Sequence, residues 1–199
     1  MEFINEQRFL QWAAQRGIEL DIRYEPPQCL VFTSGRASAR FWCTPEKPSA
    51  IPFFIASILK AMDPWEEARV WKRVPSWWFG LDEDSHEAEH VLANIVRAIG
   101  IPEEFRGAIA FAQSEFYALT TLLFAQMCLG WSVNDDVFVV PNHARQILHV
   151  EHHDIVHVSC SDEARIERFV ADLAQEGFRL PDRPPDETFK VPNWMSKGS

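Results

Sequence analysis

Cys29, Cys43, Cys128 and Cys160 lie in separate apolar segments, and no two of them form a C-x-x-C pair. The usual sign of a zinc ribbon or dithiol redox motif is therefore missing. Two disulfides are arithmetically possible. A chain of 199 residues that is 47% hydrophobic needs no such staples, so reduced, buried thiols are expected. There is also no glycine-rich phosphate loop, no Rossmann fingerprint and no nucleophile elbow, which removes the common signatures of nucleotide binding and serine hydrolysis. Lys and Arg form no run, and the formal net charge is −10. A nucleic-acid backbone would be repelled by that field. The longest apolar stretch, around Phe116 to Leu129, is too short and too interrupted by polar residues to span a bilayer. Met-Glu-Phe-Ile-Asn-Glu at the N-terminus lacks the basic and apolar regions of a signal peptide, so a cytoplasmic location is expected.

What the chain has in quantity is acid and aromatic surface. Eight tryptophans and fifteen phenylalanines imply a core built largely of rings, with some tryptophans able to anchor a partner. The acidic balance favours solubility and would attract a basic protein.

The hydrophobic pattern changes period along the chain. Asn5 is placed to cap a first helix carrying Phe9, Trp12 and Ala13, and Gly17 to end it. Ile18, Leu20, Ile22 and Tyr24 then alternate with charged residues, as in a half-buried strand broken by Pro26-Pro27. Leu30 to Phe32 begins a second strand and Ser34-Gly35 turns the chain. A third strand puts Ala37, Ala39, Phe41 and Cys43 on its apolar side. These three read as an antiparallel meander.

The middle reads as helical. Ile51 to Met62 is an apolar helix, Asp63-Pro64 opens another, and Pro75 to Gly80 is an aromatic loop. Asp82-Glu83-Asp84 precedes Ser85, which is placed to cap a helix ended by Gly100 and Pro102, and a central helix runs from about Ser114 to Leu129. Beyond it come a strand at Val137 to Val140 and a hairpin from Ile147 to Cys160. A helix capped by Ser161 follows, with Ile166, Phe169, Val170 and Leu173 as its buried stripe. Four prolines from Pro181 onward mark an extended tail. The expected fold is α+β: antiparallel strands from the N- and C-terminal thirds pack with a mostly helical middle, a hairpin-helix unit stands near the C-terminus, and residues 1–180 form one domain before a tail of 181–199.

Two histidine groups carry candidate chemistry. His86-Glu87-Ala88-Glu89-His90 matches the H-E-x-x-H motif, in which two histidines one turn apart bind zinc and the glutamate activates water. In this segment Ala88, Val91, Leu92, Ile95, Val96 and Ile99 form the apolar stripe. His86 and His90 fall opposite it, which points to a solvated helical face.

The second group is the hairpin His149 to Val158. A three-residue loop, His152 to Asp154, pairs Val150 with Val156 and Leu148 with Val158, keeping one face apolar. His149 then lies opposite His157, with Glu151 beside them, a set able to hold a divalent metal or respond to pH. Trp77 and Trp78 are either core residues or an exposed anchor.

The expectation is a non-catalytic protein that binds a basic protein partner, as an immunity or regulator protein does, through His149, Glu151, His157, Trp77 and Trp78. No cofactor, nucleic acid or membrane is involved in that reading. The alternative is a metal-dependent hydrolase, with a divalent metal such as zinc held at His149 and His157 or at His86 and His90.

Overall fold

The computed structural model describes residues 1–21, 29–33, 37–74, 76–77, 85–133 and 135–182. Trp78, the Ser34-Gly35 turn, the acidic stretch 82–84, the strand reading beyond Asp21 and the tail beyond Asp182 lie outside the described residues. Within them the elements run β1 (Glu2–Asn5), α1 (Glu6–Ala14), β2 (Ile18–Leu20), β3 (Leu30–Phe32), β4 (Ser38–Cys43), α2 (Ile51–Ala61), β5 (Glu67–Lys72), α3 (Glu87–Ile99), β6 (Gly107–Ala112), α4 (Phe116–Val133), β7 (Val137–Pro141), β8 (Gln146–Glu151), β9 (Ile155–Cys160) and α5 (Glu163–Gln175).

Seven strands form one antiparallel sheet in the order β1-β6-β5-β7-β8-β9-β4, and β2 and β3 make a separate small hairpin. The fold is α+β. Because alternate residues of a strand point to opposite faces, the sheet has two cores. One face carries Val70, Ile109, Phe111, Val137, Val139, Leu148, Val156 and Val158, and packs against α2, α3, α4 and α5. The other carries Trp71, Ala108, Ala110, Phe138, Val140 and Ile147, and is covered by α1 and the small hairpin through Phe9, Ala13, Ile18 and Leu30.

Several expectations are corrected. The segment after Asp63-Pro64 is not a helix but β5, in the middle of the sheet. Its Ala68 and Val70 face one core while Trp71 faces the other, so a strand covered on both sides shows no simple alternation. Glu2–Asn5 and Gly107–Ala112 are further strands where none was expected. The first three strands are no meander, since β4 leaves the hairpin and pairs with β9 at the sheet edge. The buried residue of β4 is Trp42, while Ala39 and Cys43 are exposed, opposite to the expected phase. Caps move by one residue: His86 Nδ1 accepts from Ala88 N–H, and Asp162, not Ser161, caps α5 through Arg165 N–H. Asn5 does cap α1, accepting from Gln7 and Arg8 N–H. Gly100 closes α3 in the left-handed conformation, φ 88°.

Candidate functional site

The hairpin of β8 and β9 sets the site. His152 to Asp154 form its loop, and Asp154 takes φ 63°, a left-handed conformation that Asp tolerates. The register pairs Leu148 with Val158, Val150 with Val156 and His149 with His157. The valines and leucine point into the helix-covered core, so both histidines are held on the opposite face.

Strand pairing then extends this pair into a row. Phe41 of β4 lies opposite His157, His149 opposite Phe138 of β7, and Phe138 opposite Trp71 of β5. Neighbouring strands are about 4.8 Å apart, which brings consecutive rings into contact. Ring centroids are 6.2 Å apart for Phe41 and His157, 5.3 Å for His157 and His149, 4.3 Å for His149 and Phe138, and 5.6 Å for Phe138 and Trp71. His149 is close to parallel with both neighbours, at 14° to Phe138 and 21° to His157. Trp71 continues the row to Phe9 and Trp12 of α1, where the Arg69 guanidinium lies 3.9 Å from the Trp12 ring centroid.

Carboxylates edge the row. Asp136, immediately before β7 and 6% exposed, accepts from His152 Nδ1 at 2.6 Å and from His152 N–H at 3.2 Å. Arg73 Nη1 reaches it at 3.4 Å. His149 Nε2 comes within 3.3 Å of Asp136 Oδ2 but at an angle too oblique for a good hydrogen bond. Glu151 receives His157 Nε2 at 3.1 Å, with His153 Nδ1 at 3.7 Å.

Burial alone would raise the Asp136 carboxyl, but the imidazoles of His149 and His152 and the Arg73 guanidinium hold it well below the usual range. Glu151 is lowered for the same kind of reason, with burial again opposing His157 and His149. Cys29, just before β3, has its thiol pushed up by burial and by the nearby charges of Asp136 and Asp21.

The carboxylates thus hold His152 and His157, while the buried Nε2 of His149 is left without a good hydrogen bond. Side-chain exposure rises along it from 17% at His149 to 37% at His157, so the row opens towards the β4 edge. Among the described residues, no three His, Cys, Asp or Glu side chains are placed to hold a metal ion. His149, Glu151 and His157 are brought together as the alternation required. The sequence reading missed Asp136, His152 and Arg73, which complete the cluster. The available signal was Asp135-Asp136 directly before the buried Val137–Pro141, since carboxylates carried into a core need partners.

The other candidates sit elsewhere. His86 and His90 are both exposed, and His86 Nδ1 is occupied by the Ala88 N–H at 3.0 Å. His90→Ala is expected to change stability by less than about 0.5 kcal/mol, as for an exposed residue without a special role. His86→Ala should cost about 0.5–1 kcal/mol through loss of the cap. Urea denaturation of both variants checks this, and a large loss at His90 would contradict the solvated-face reading. Trp77 is corrected as a binding candidate: it is 1% exposed and donates its indole N–H to Gly107 O at 2.9 Å, so it is a core residue. A cleft of about 190 Å³ between α2 and α5, lined by Ser57, Lys60, Asp172 and Glu176, lies across the sheet from the imidazole row.

In comparison with known proteins, no family model, no curated protein and no solved structure matches this chain. All four cysteines remain thiols, and among the described residues no helix is long and apolar enough to cross a membrane.

Proposed function

We propose that this chain is a non-catalytic protein-binding domain of the cytosol whose partner is a basic protein, in the manner of an immunity or regulator protein. The observation that carries the reading is the formal net charge of −10, which attracts a basic surface and repels nucleic acid. The imidazole row supports it. Asp136 and Glu151 hold His152 and His157 by hydrogen bonds, an arrangement that stiffens a surface. The second reading is a metal-dependent hydrolase, and it draws on His157 Nε2 at 3.1 Å from Glu151 beside the stacked His149.

Affinity capture from the native cell, identified by mass spectrometry, separates the two. The expected result is a basic protein held at low salt and released as ionic strength rises. Captured proteins with no basic member would defeat the leading reading. Stoichiometric metal in the purified protein, lost on replacing His149 and His157, would favour the hydrolase.

A further inference from the structure

We infer that the cleft between α2 and α5 binds a free α-amino acid, with Asp172 and Glu176 taking its ammonium and Lys60 and Ser57 its carboxylate. This site is independent of the basic-partner reading, and either can fail alone.

The two helices run antiparallel. Phe54 of α2 meets Phe178, just past α5, with ring centroids 5.0 Å apart, and Asp63, just past α2, pairs with Arg165 of α5. The cleft of about 190 Å³ lies between those contacts. Residues three and four apart share one side of a helix. Ser57, Lys60 and Ala61 therefore line one wall together, and Asp172, Gln175 and Glu176 line the other.

Ser57 is the first sign of a ligand. It is 8% exposed, and a hydroxyl buried to that extent is normally hydrogen-bonded. A helix offers a ready acceptor, the carbonyl four residues back. Thr120 and Thr121 of α4 use it, donating to Phe116 O at 2.8 Å and Tyr117 O at 2.9 Å. Ser57 uses neither that carbonyl nor any other partner among the described residues. Its Oγ is not sealed in as the indole nitrogens of Trp42 and Trp71 are, so it is left to the cleft that Ser57 lines.

The charges are the second sign. Among the described residues Lys60, Asp172 and Glu176 form no ion pair, so cation and carboxylates stand on opposite walls without closing the space between them. The acids also stand where their helix disfavours them. Asp172 lies in the last turn of α5 and Glu176 is its C-cap, with no basic residue in that turn. Both are at the negative end of the helix dipole, and as like charges four residues apart they repel. The fold gains nothing from that placement, whereas an ammonium seated between them offsets both costs.

The lining selects the occupant. The cleft is smaller than the about 300 Å³ at which drug-sized pockets begin, and Ala61 is the one apolar residue among the six that line it. The ligand is therefore small, polar and charged at both ends. A polyamine would set a second ammonium against Lys60, and a dicarboxylate would set a second anion against Asp172 or Glu176. A free amino acid with a short side chain meets each wall with the opposite charge. Its carboxylate accepts from the Lys60 ammonium and the Ser57 hydroxyl, and charge-assisted bonds of this kind are the stronger ones. The Gln175 amide remains for a polar side chain.

The test titrates the full isotope-labelled chain with L-alanine and with L-serine. Saturable shifts are expected at the amides of Ser57, Lys60, Ala61, Asp172 and Glu176, with a Kd of about 1 mM or tighter. Alaninamide lacks the carboxylate and N-acetylalanine lacks the ammonium, so each should bind about tenfold more weakly or worse. Lys60→Gln and Asp172→Asn should each weaken alanine by about tenfold. Ser57→Ala separates binding from folding. The hydroxyl holds nothing in the fold and alanine is the better helix former, so Tm should stay or rise while alanine binds about threefold more weakly or worse.

Cleft amides that shift with neither amino acid overturn the inference. Alaninamide binding as tightly as alanine also overturns it, making the cleft a site for amines alone. Alanine binding that survives both Lys60→Gln and Ser57→Ala removes the carboxylate from that wall and overturns it too. None of these results bears on the basic-partner reading, which native capture decides.

Discussion

Asp135→Ala is expected to lower folding stability by about 3–5 kcal/mol, the cost of leaving a buried charge without its counter-ion. Lys72 ends β5 on the helix-covered face, opposite Val137. Its Nζ lies 2.5 Å from Asp135 Oδ2, with side chains 4% and 3% exposed. The ammonium also donates to Ser76 O at 3.1 Å and lies 5.4 Å from the Trp77 ring centroid. Asp135 Oδ1 accepts the Val74 N–H at 3.2 Å. One carboxylate thus fixes both the end of β5 and the chain leading to Trp77.

Burial pushes the Asp135 carboxyl up despite the ammonium beside it, so desolvation exceeds the attraction between the pair. A carboxyl raised on folding weakens the fold at neutral pH, and that penalty fades as pH falls towards its unfolded value. The pair therefore matters through its completeness, not through a net electrostatic gain. Lys72→Met should be as damaging as Asp135→Ala. The double variant Lys72→Met with Asp135→Leu should recover most of the loss, falling short by about 1 kcal/mol for the Val74 N–H. Urea denaturation of the four proteins measures this cycle. A double variant no more stable than either single one would show that the pair has been misjudged.

The parts of the fold that were legible in the sequence are those whose pattern is local. Leu148, Val150, Val156 and Val158 allow one register that keeps an apolar face, and that register is the one found. β4 was located but assigned the wrong phase, because Ala39 and Cys43 look apolar while the deciding residue is Trp42, buried against Phe169. β5 was hidden for two reasons. Asp63-Pro64 resembles a helix start, and a strand with Val70 in one core and Trp71 in the other has no period-two signal. Gly-Ala-Ile-Ala-Phe-Ala in β6 is alanine-rich, and tertiary packing overrides that helical preference. Ala108 and Ala110 are small where α1 crosses the sheet.

The same division holds for the site. His149, Glu151 and His157 belong to one hairpin and could be placed from spacing. Arg73 and Asp136 come from the ends of β5 and β7, which adjoin only because those strands pair, and no local pattern carries that.

Asp136→Asn is the complementary expectation, with a loss of about 2–4 kcal/mol at neutral pH. The substitution preserves shape and an acceptor for the His152 N–H but removes the charge that Arg73 and the imidazoles surround. The pH dependence follows from the direction of the shift. The folded carboxyl lies below its ordinary 3.8, so its contribution is fully present above that value and is lost as pH falls through the folded one. Glu151 acts in the same direction, lowered from 4.5, while Asp135 acts in the opposite one.

Unfolding in urea across a pH series should therefore show the original chain and Asp136→Asn well separated at neutral pH. The gap should close below 3.8, where the unfolded Asp136 carboxyl takes up a proton. A gap that persists unchanged into strong acid would mean that Asp136 acts through shape alone. No gap at neutral pH would mean that the imidazoles do not depend on it. The row would then be held by its ring stack, from Phe41 through His157 and His149 to Phe138, and the charges along its edge would serve recognition alone.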